Sequence, residues 1–173
     1  MPSLNLILMA GMPGTGKSTV AREIGSVFGF PVIDKDVIAT ALLDAEIPED
    51  QMQPAAYDTC FALTRDLLMQ HQSLILDTPA VHLIVWERAQ ALCNQAGATL
   101  IPVLCVADRD IRNHRVASRV AMRSQPAGQS RTPGYARERF AHLPPDRIEL
   151  VTDGELPDVL DQVIRQLRSR GGV

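Results

Sequence analysis

Nine consecutive residues, Gly11-Met12-Pro13-Gly14-Thr15-Gly16-Lys17-Ser18-Thr19, combine glycines, a lysine and hydroxyls at a spacing suited to a chain of phosphates. Glycines at such spacing let successive backbone N–H groups turn inward around the phosphates, while a lysine and a hydroxyl complete the cradle. In a loop of this kind Lys17 reaches the β- and γ-phosphates and the Ser18 hydroxyl ligates Mg²⁺. The stretch reads as a phosphate-binding P-loop for a nucleoside triphosphate.

Acids and arginines further along decide what happens to the triphosphate. Phosphoryl transfer to an alcohol needs a metal to bridge phosphates, a carboxylate to accept the hydroxyl proton and cations to hold the transferring group in line. Asp34-Lys35-Asp36 follows the short apolar run Phe30–Ile33. Asp36 is the expected carboxylate for the acceptor, and Asp34 binds a magnesium-held water or the substrate; alternatively one of the two caps the helix that begins near Val37. Leu74-Ile75-Leu76-Asp77 has the form of a Walker B strand, an apolar run ending in an acid beside the metal. Its competing reading is a plain turn starter.

From Asp108 to Glu138 the chain carries seven arginines and three acids, a local excess of four positive charges. Arg112, Arg115, Arg119 and Arg123 are spaced to share one face of a helix running from Asp108 to Arg123. Like charges so placed repel one another, so an anion is expected to compensate. A helix and loop carrying arginines over bound phosphates describes a kinase lid, here residues 108–142, with Arg115 and Arg119 the arginines expected to act. A solvated basic face, or salt bridges to neighbouring helices, is the competing account.

Positioning these groups requires strands that end beside one another. Leu4–Ala10, Phe30–Ile33, Leu74–Leu76 and Thr99–Val106 are short, largely apolar runs that read as strands, and Arg147–Val151 supplies a fifth. Helical patterns separate them: Gly16 to Phe28 with Val20, Ile24, Val27 and Phe28 inward; Val37 to Asp44; Ala55 to Gln72; Leu83 to Gln95; a short one near Tyr135 to His142; and a last one through Leu160, Val163, Ile164 and Leu167. Ile47–Pro54 and Ser124–Gly134 read as loops. The expectation is one α/β domain over residues 1–173, a five-stranded parallel sheet with helices on both faces. Ligands in such sheets sit at the carboxyl ends of strands, where the P-loop, Asp34, Asp36 and Asp77 all fall.

Composition narrows the class. At 173 residues the chain supports one core, and no apolar run approaches the ~20 residues of a membrane span. The N-terminal residues carry no basic and apolar export pattern, which leads to an expected cytoplasmic location. Cys60, Cys93 and Cys105 and the histidines lack ligand spacing and read as packing residues. A net charge of −3 weighs against holding a nucleic-acid backbone. No Asn/Thr-Lys-x-Asp guanine reader is present, which argues against a switch GTPase.

The P-loop, the acid after strand two, the apolar run to Asp77 and an Arg-x-x-x-Arg helix after strand four resemble the small P-loop kinases similar to polynucleotide kinase, a zeta-toxin- and adenylate-kinase-like group. The resemblance spans nearly the whole chain, with specificity concentrated in the P-loop. It implies ATP and Mg²⁺ as cofactors, a hydroxyl acceptor, a sheet of order 2-3-1-4-5 and a helical lid. On it, Gly11, Gly16, Lys17 and Ser18 match the phosphate loop, Asp36 the acid that activates the acceptor, and Arg115 and Arg119 the lid. Ala39 departs from the polynucleotide-kinase pattern, which has arginine three residues after that acid. Asp34-Lys35-Asp36 also looks like the D-x-D of shikimate-type kinases, although Asp77-Thr78-Pro79 replaces their glycine turn.

The expected substrate is therefore a small hydroxylated molecule, in a pocket shaped by Val37–Gln72 and Arg88. The alternatives are an ATP-binding regulatory module or weak ATPase without an acceptor, and a polynucleotide 5′-hydroxyl kinase.

Overall fold

The computed structural model describes residues 3–125 and 134–170. At its centre lies β1 (Asn5–Ala10), buried along its whole length. Leu6, Leu8 and Ala10 enter one apolar cluster, whereas Ile7 and Met9 enter another on the opposite face. Side chains alternate along a strand, so a strand covered on both faces reads as a nearly continuous apolar run, here Leu6–Ala10. Each large side chain buried this way contributes about 1.5–3 kcal/mol.

Four more strands, β2 (Val32–Asp34), β3 (Leu74–Asp77), β4 (Thr99–Val106) and β5 (Ile148–Val151), complete a parallel sheet of order β2-β3-β1-β4-β5. That is the order the resemblance implied. α1 (Lys17–Phe28) and α6 (Leu156–Ser169) cover the face carrying Ile7, using Val20 and Ile24 from one helix and Val159, Val163 and Leu167 from the other. On the opposite face, α3 (Glu49–Met69) and α4 (Leu83–Ala96) supply Cys60, Phe61, Leu68, Val85, Ala89 and Cys93. α2 (Lys35–Asp44) packs against α3 through Ala39, Met52 and Ala56. α5 (Arg109–Ser118) follows β4, and a short 3-10 turn covers Arg137–Phe140.

Local details differ from the expected pattern. α3 starts at Glu49, so most of the expected loop Ile47–Pro54 is helical, with Pro54 inside the helix. The proline forfeits one backbone bond, and burial of Met52 and Ala56 against Ala39 offsets it. Val27 is 48% exposed rather than inward. Gly25 takes the inner position, where a Cβ would come within 2.8 Å of the Phe30 carbonyl oxygen. In the first turns of α6, Val159 rather than Leu160 is buried.

The cysteines are free and buried, as their apolar settings suggested. Among the described residues no helix is long and apolar enough to cross a membrane. Arg131 and most of the loop Ser124–Gly134 lie outside the described residues.

Candidate functional site

Residues 11–16 connect β1 to α1. Gly14 has φ 82°, and a Cβ there would stand 2.4 Å from the Arg112 carbonyl oxygen, so both conformation and space demand glycine. Thr15 closes the turn: its hydroxyl donates to the Met12 carbonyl at 2.8 Å, and its N–H reaches the same oxygen at 3.2 Å. The Thr152 hydroxyl donates to the Thr15 carbonyl at 2.7 Å, and the Gly11 N–H donates to the Pro79 carbonyl at 3.1 Å. The loop is thus held from the ends of β5 and β3.

α1 starts without a side-chain cap. Its first N–H groups therefore remain available to an anion, and the helix dipole favours one there. Above this helix start opens a cavity of about 640 Å³, lined by Met12, residues 14–20, Arg22, Arg115 and residues 119, 120, 122 and 125, and closed by residues 152–156 and Val159. Gly11 and Pro13 shape the turn without lining the cavity.

Lys17 Nζ stands 3.9 Å from Asp77 Oδ1. Asp77 is 2% exposed, and among the described residues neither of its carboxylate oxygens completes a hydrogen bond. Burial pushes this carboxyl above the ordinary carboxylate range; Asp34 and Asp36 add to the effect, while Lys17 and the Ser18 hydroxyl oppose it. With only the Ser18 hydroxyl and the more distant Lys17 ammonium beside it, this buried carboxylate has capacity for a further partner. A hydrated divalent cation beside Ser18 supplies one, since Mg²⁺ prefers oxygen ligands and keeps several waters. The residues present therefore fit Mg²⁺.

Asp34 and Asp36 have separate duties. Asp34 Oδ1 accepts from the N–H groups of Asp36 at 2.9 Å and Val37 at 3.4 Å, capping α2, and Oδ2 pairs with Arg22 Nη2 at 3.1 Å. The Asp36 carboxylate is left for other work. Lys35 Nζ lies 2.8 Å from Asp36 Oδ1, and Gln125 Nε2 donates to Oδ2 at 3.2 Å. Burial raises the Asp36 carboxyl, but the contacts with Lys35, the charge of Lys17 and the Gln125 amide outweigh it, and the net displacement is below the ordinary range. Asp36 is ionised at neutral pH.

The arginines do not share a helical face. α5 ends at Ser118, and Arg119, its cap, has extended backbone with ψ 151°. Four cations on one face would repel, and the chain disperses them. Arg112 is buried, donating from Nε to the Ala107 carbonyl at 3.1 Å and from Nη2 to the Gly134 carbonyl at 2.9 Å. Arg123 reaches the Leu43 carbonyl at 3.1 Å and Asp44 at 3.2 Å. Arg115 and Arg119 line the cavity, and Arg115 Nη2 also donates to the Thr152 carbonyl at 2.6 Å. Arg88 pairs with Asp58 at 2.9 Å and lies over the Phe61 ring at 4.1 Å, bracing α3 against α4.

Several contributors escaped the sequence reading. Thr152, Asp153 and Gly154 sit at the carboxyl end of β5 and line the cavity. The strand-end rule that singled out Asp34 and Asp77 applies equally to them. Asp153 is fixed by the Tyr135 hydroxyl at 2.7 Å and by the Asp108 N–H at 3.0 Å. Lys35 and Gln125 carried no signal, because their contacts to Asp36 arise only in the folded chain.

A 2-3-1-4-5 parallel sheet, with a glycine-rich loop leading from its central strand into a helix, is the P-loop NTPase kinase fold. The chain belongs to the AAA domain family, whose profile matches residues 6–142. No curated protein matches the sequence. Among solved structures, a provisionally assigned kinase of Chloroflexus aurantiacus J-10-fl is similar at TM-score 0.75 and 24% identity, covering 99% of each chain. The adenylylsulfate (APS) kinase of Mycobacterium tuberculosis, solved with AMPPNP and APS, aligns at TM-score 0.64 and 17% identity over 97% of this chain and 99% of its own. A gluconokinase of Sinorhizobium meliloti 1021 aligns at 0.61 and 16%, over 99% and 95%. At such identities the likeness establishes the fold.

Proposed function

We propose that the protein transfers the γ-phosphoryl group of ATP to a hydroxyl of a small molecule. The observation that carries this reading is the Asp36 carboxylate: ionised, not consumed as a helix cap, and close enough to Lys17 to feel its charge. A module that only holds ATP has no use for such a group. The kinase structures that the chain resembles, including the gluconokinase and the APS kinase, support the same reaction class.

Lys17 and the first N–H groups of α1 hold the β- and γ-phosphates. Ser18 and Asp77 are the residues that would hold Mg²⁺, which when bound supplies charge neutralisation across those phosphates. Arg115 and Arg119, on the cavity wall, face the charge that develops on the transferring group, and residues 108–142 are read as the lid. Asp36 accepts a hydrogen bond from the acceptor hydroxyl. As the acceptor oxygen bonds to phosphorus, the bond to the bridging oxygen of ADP breaks and the proton passes to Asp36. With its lowered pKa Asp36 acts chiefly by orientation, in keeping with the small covalent demand of phosphoryl transfer.

A small acceptor is preferred to a nucleic-acid end. Ala39 is fully buried against Met52 and Ala56, leaving no room for the arginine of the polynucleotide-kinase pattern. The test is Mg²⁺-dependent ATP consumption with pooled sugars, nucleosides, aminoglycosides, shikimate-like acids and 5′-hydroxyl oligonucleotides, beside Asp36→Asn. We expect one small-molecule pool to raise turnover, and Asp36→Asn to abolish about 10²- to 10⁴-fold of it while ATP still binds. Slow turnover that no pool stimulates and Asp36→Asn leaves unchanged would instead identify an ATP-binding regulatory module.

A further inference from the structure

We infer that Gln125 is a positioning residue: its side-chain amide sets the Asp36 carboxylate for the acceptor and ties it to the wall of the nucleotide cavity. The inference rests on the kinase reading above. Gln125 lines the cavity and bonds to the Asp36 side chain, across a sequence separation of 89 residues.

The orientation of the amide follows from its surroundings. Gln125 Oε1 accepts from the Met122 N–H at 3.2 Å, so the nitrogen must face Asp36, where it donates to Oδ2 at 3.2 Å. The Gln125 N–H returns to the Met122 carbonyl at 3.0 Å, closing a turn that fixes where the side chain starts. Ser124 anchors the same strap to α2, its hydroxyl donating to the Asp36 carbonyl at 2.8 Å and lying 2.9 Å from Thr40 Oγ1. Main chain and side chain of Asp36 are therefore both held by residues 124–125.

Lys35 holds the other oxygen. With both bonds in place the carboxylate cannot rotate freely, and its remaining lone pairs keep one direction. Losing one anchor would spread them over several, and misplaced reacting groups forfeit rate. Charged and titratable groups facing Asp36 are Lys35 on α2, Lys17 on α1, Asp77 on β3, and Tyr57 and Cys60 on α3, with Asp34 capping its helix. Within this set Gln125 is a neutral donor: it orients the carboxylate without adding a charge.

The test compares the full-length protein with Gln125→Ala and Gln125→Glu, using Mg²⁺-ATP and whichever acceptor pool stimulates turnover. We expect Gln125→Ala to lower kcat about tenfold with the KM for ATP within about twofold. Gln125→Glu sets a second carboxylate against Asp36. It should lower kcat about 100-fold near pH 8 and regain most of that near pH 6, where the two carboxylates share a proton and a donor is restored. A packing role alone would show no such recovery.

Both variants within twofold of the unmodified protein at every pH would overturn the inference. So would equal losses accompanied by a tenfold rise in the KM for ATP, which would make Gln125 a nucleotide contact. A second readout needs no turnover: the ¹³C resonance of the Asp36 carboxyl carbon should move in Gln125→Ala, and an unmoved resonance overturns the pairing. A moved resonance in a protein whose turnover no pool stimulates sinks the kinase reading while keeping the contact.

Discussion

The two walls of the candidate site are built by different means. On the nucleotide side the geometry is made by backbone: a left-handed glycine against Arg112, a threonine closing a turn, and strand ends that hold the loop from either side. On the side proposed for the acceptor the geometry is made by side chains, with Asp34 on Arg22, Asp36 on Lys35 and Gln125, and Arg123 on Asp44. A phosphate chain has a constant shape that a rigid backbone cradle can match. An acceptor differs from enzyme to enzyme, and side-chain pairs can be exchanged without refolding the sheet.

This contrast predicts unequal consequences of mutation. On the nucleotide side Lys17→Ala should have the largest effect, lowering ATP turnover by about 10²- to 10³-fold in steady-state assays, because it removes a cation aimed at developing phosphate charge. A loss below threefold would mean that the nucleotide lies elsewhere. Gly14→Ala comes next. Its Cβ collides with backbone at a positive φ, so a loss of about 1–3 kcal/mol is expected in urea unfolding, together with weaker ATP binding. Unchanged stability would show that the loop and α5 are free to separate.

Asp77→Asn should behave in the opposite way. A buried carboxyl whose folded pKa is raised binds its proton more tightly when folded, so the metal-free protein gains stability as pH falls through the raised value towards the unfolded value near ~3.9, and loses it as pH rises. The amide escapes that loss. At pH 7 without Mg²⁺ or nucleotide, its melting temperature should rise by about 2–4 °C, and the extra stabilisation by Mg²⁺-ATP should shrink. A fall in melting temperature in the apo state would contradict the burial argument. Smallest of all is Arg123→Ala. Both partners of that ion pair are mostly exposed, and its removal should change unfolding free energy by no more than ~0.5 kcal/mol. A larger loss would assign the strap a structural weight that its contacts do not suggest.

Legibility in the sequence follows the same division. Gly11 to Thr19 was recognisable because a backbone cradle needs particular residues at fixed intervals, and the flanking strand and helix announced themselves through their own periods. Asp77 was readable as an acid ending an apolar run. The arginines after β4 were readable as a group but not one by one. Regular spacing suggested a shared face, yet the helix ends at Ser118, Arg112 turns into the interior and Arg123 leaves for α2. Which of Asp34 and Asp36 caps α2 also stayed open, since aspartate suits either duty and the start of the helix decides between them.

By itself the sequence determined the parallel α/β architecture, the phosphate loop and the strand-end acids, since each depends on local conformation or on a repeating apolar pattern within a few residues. Only the tertiary structure decided that Asp34 is the cap, which leaves the mostly buried Asp36 carboxylate to Lys35 and Gln125, and that Thr152 secures the loop. Those contacts join residues up to 137 positions apart. Hydrogen bonds of this kind act over about 3 Å in space and leave no period in the chain.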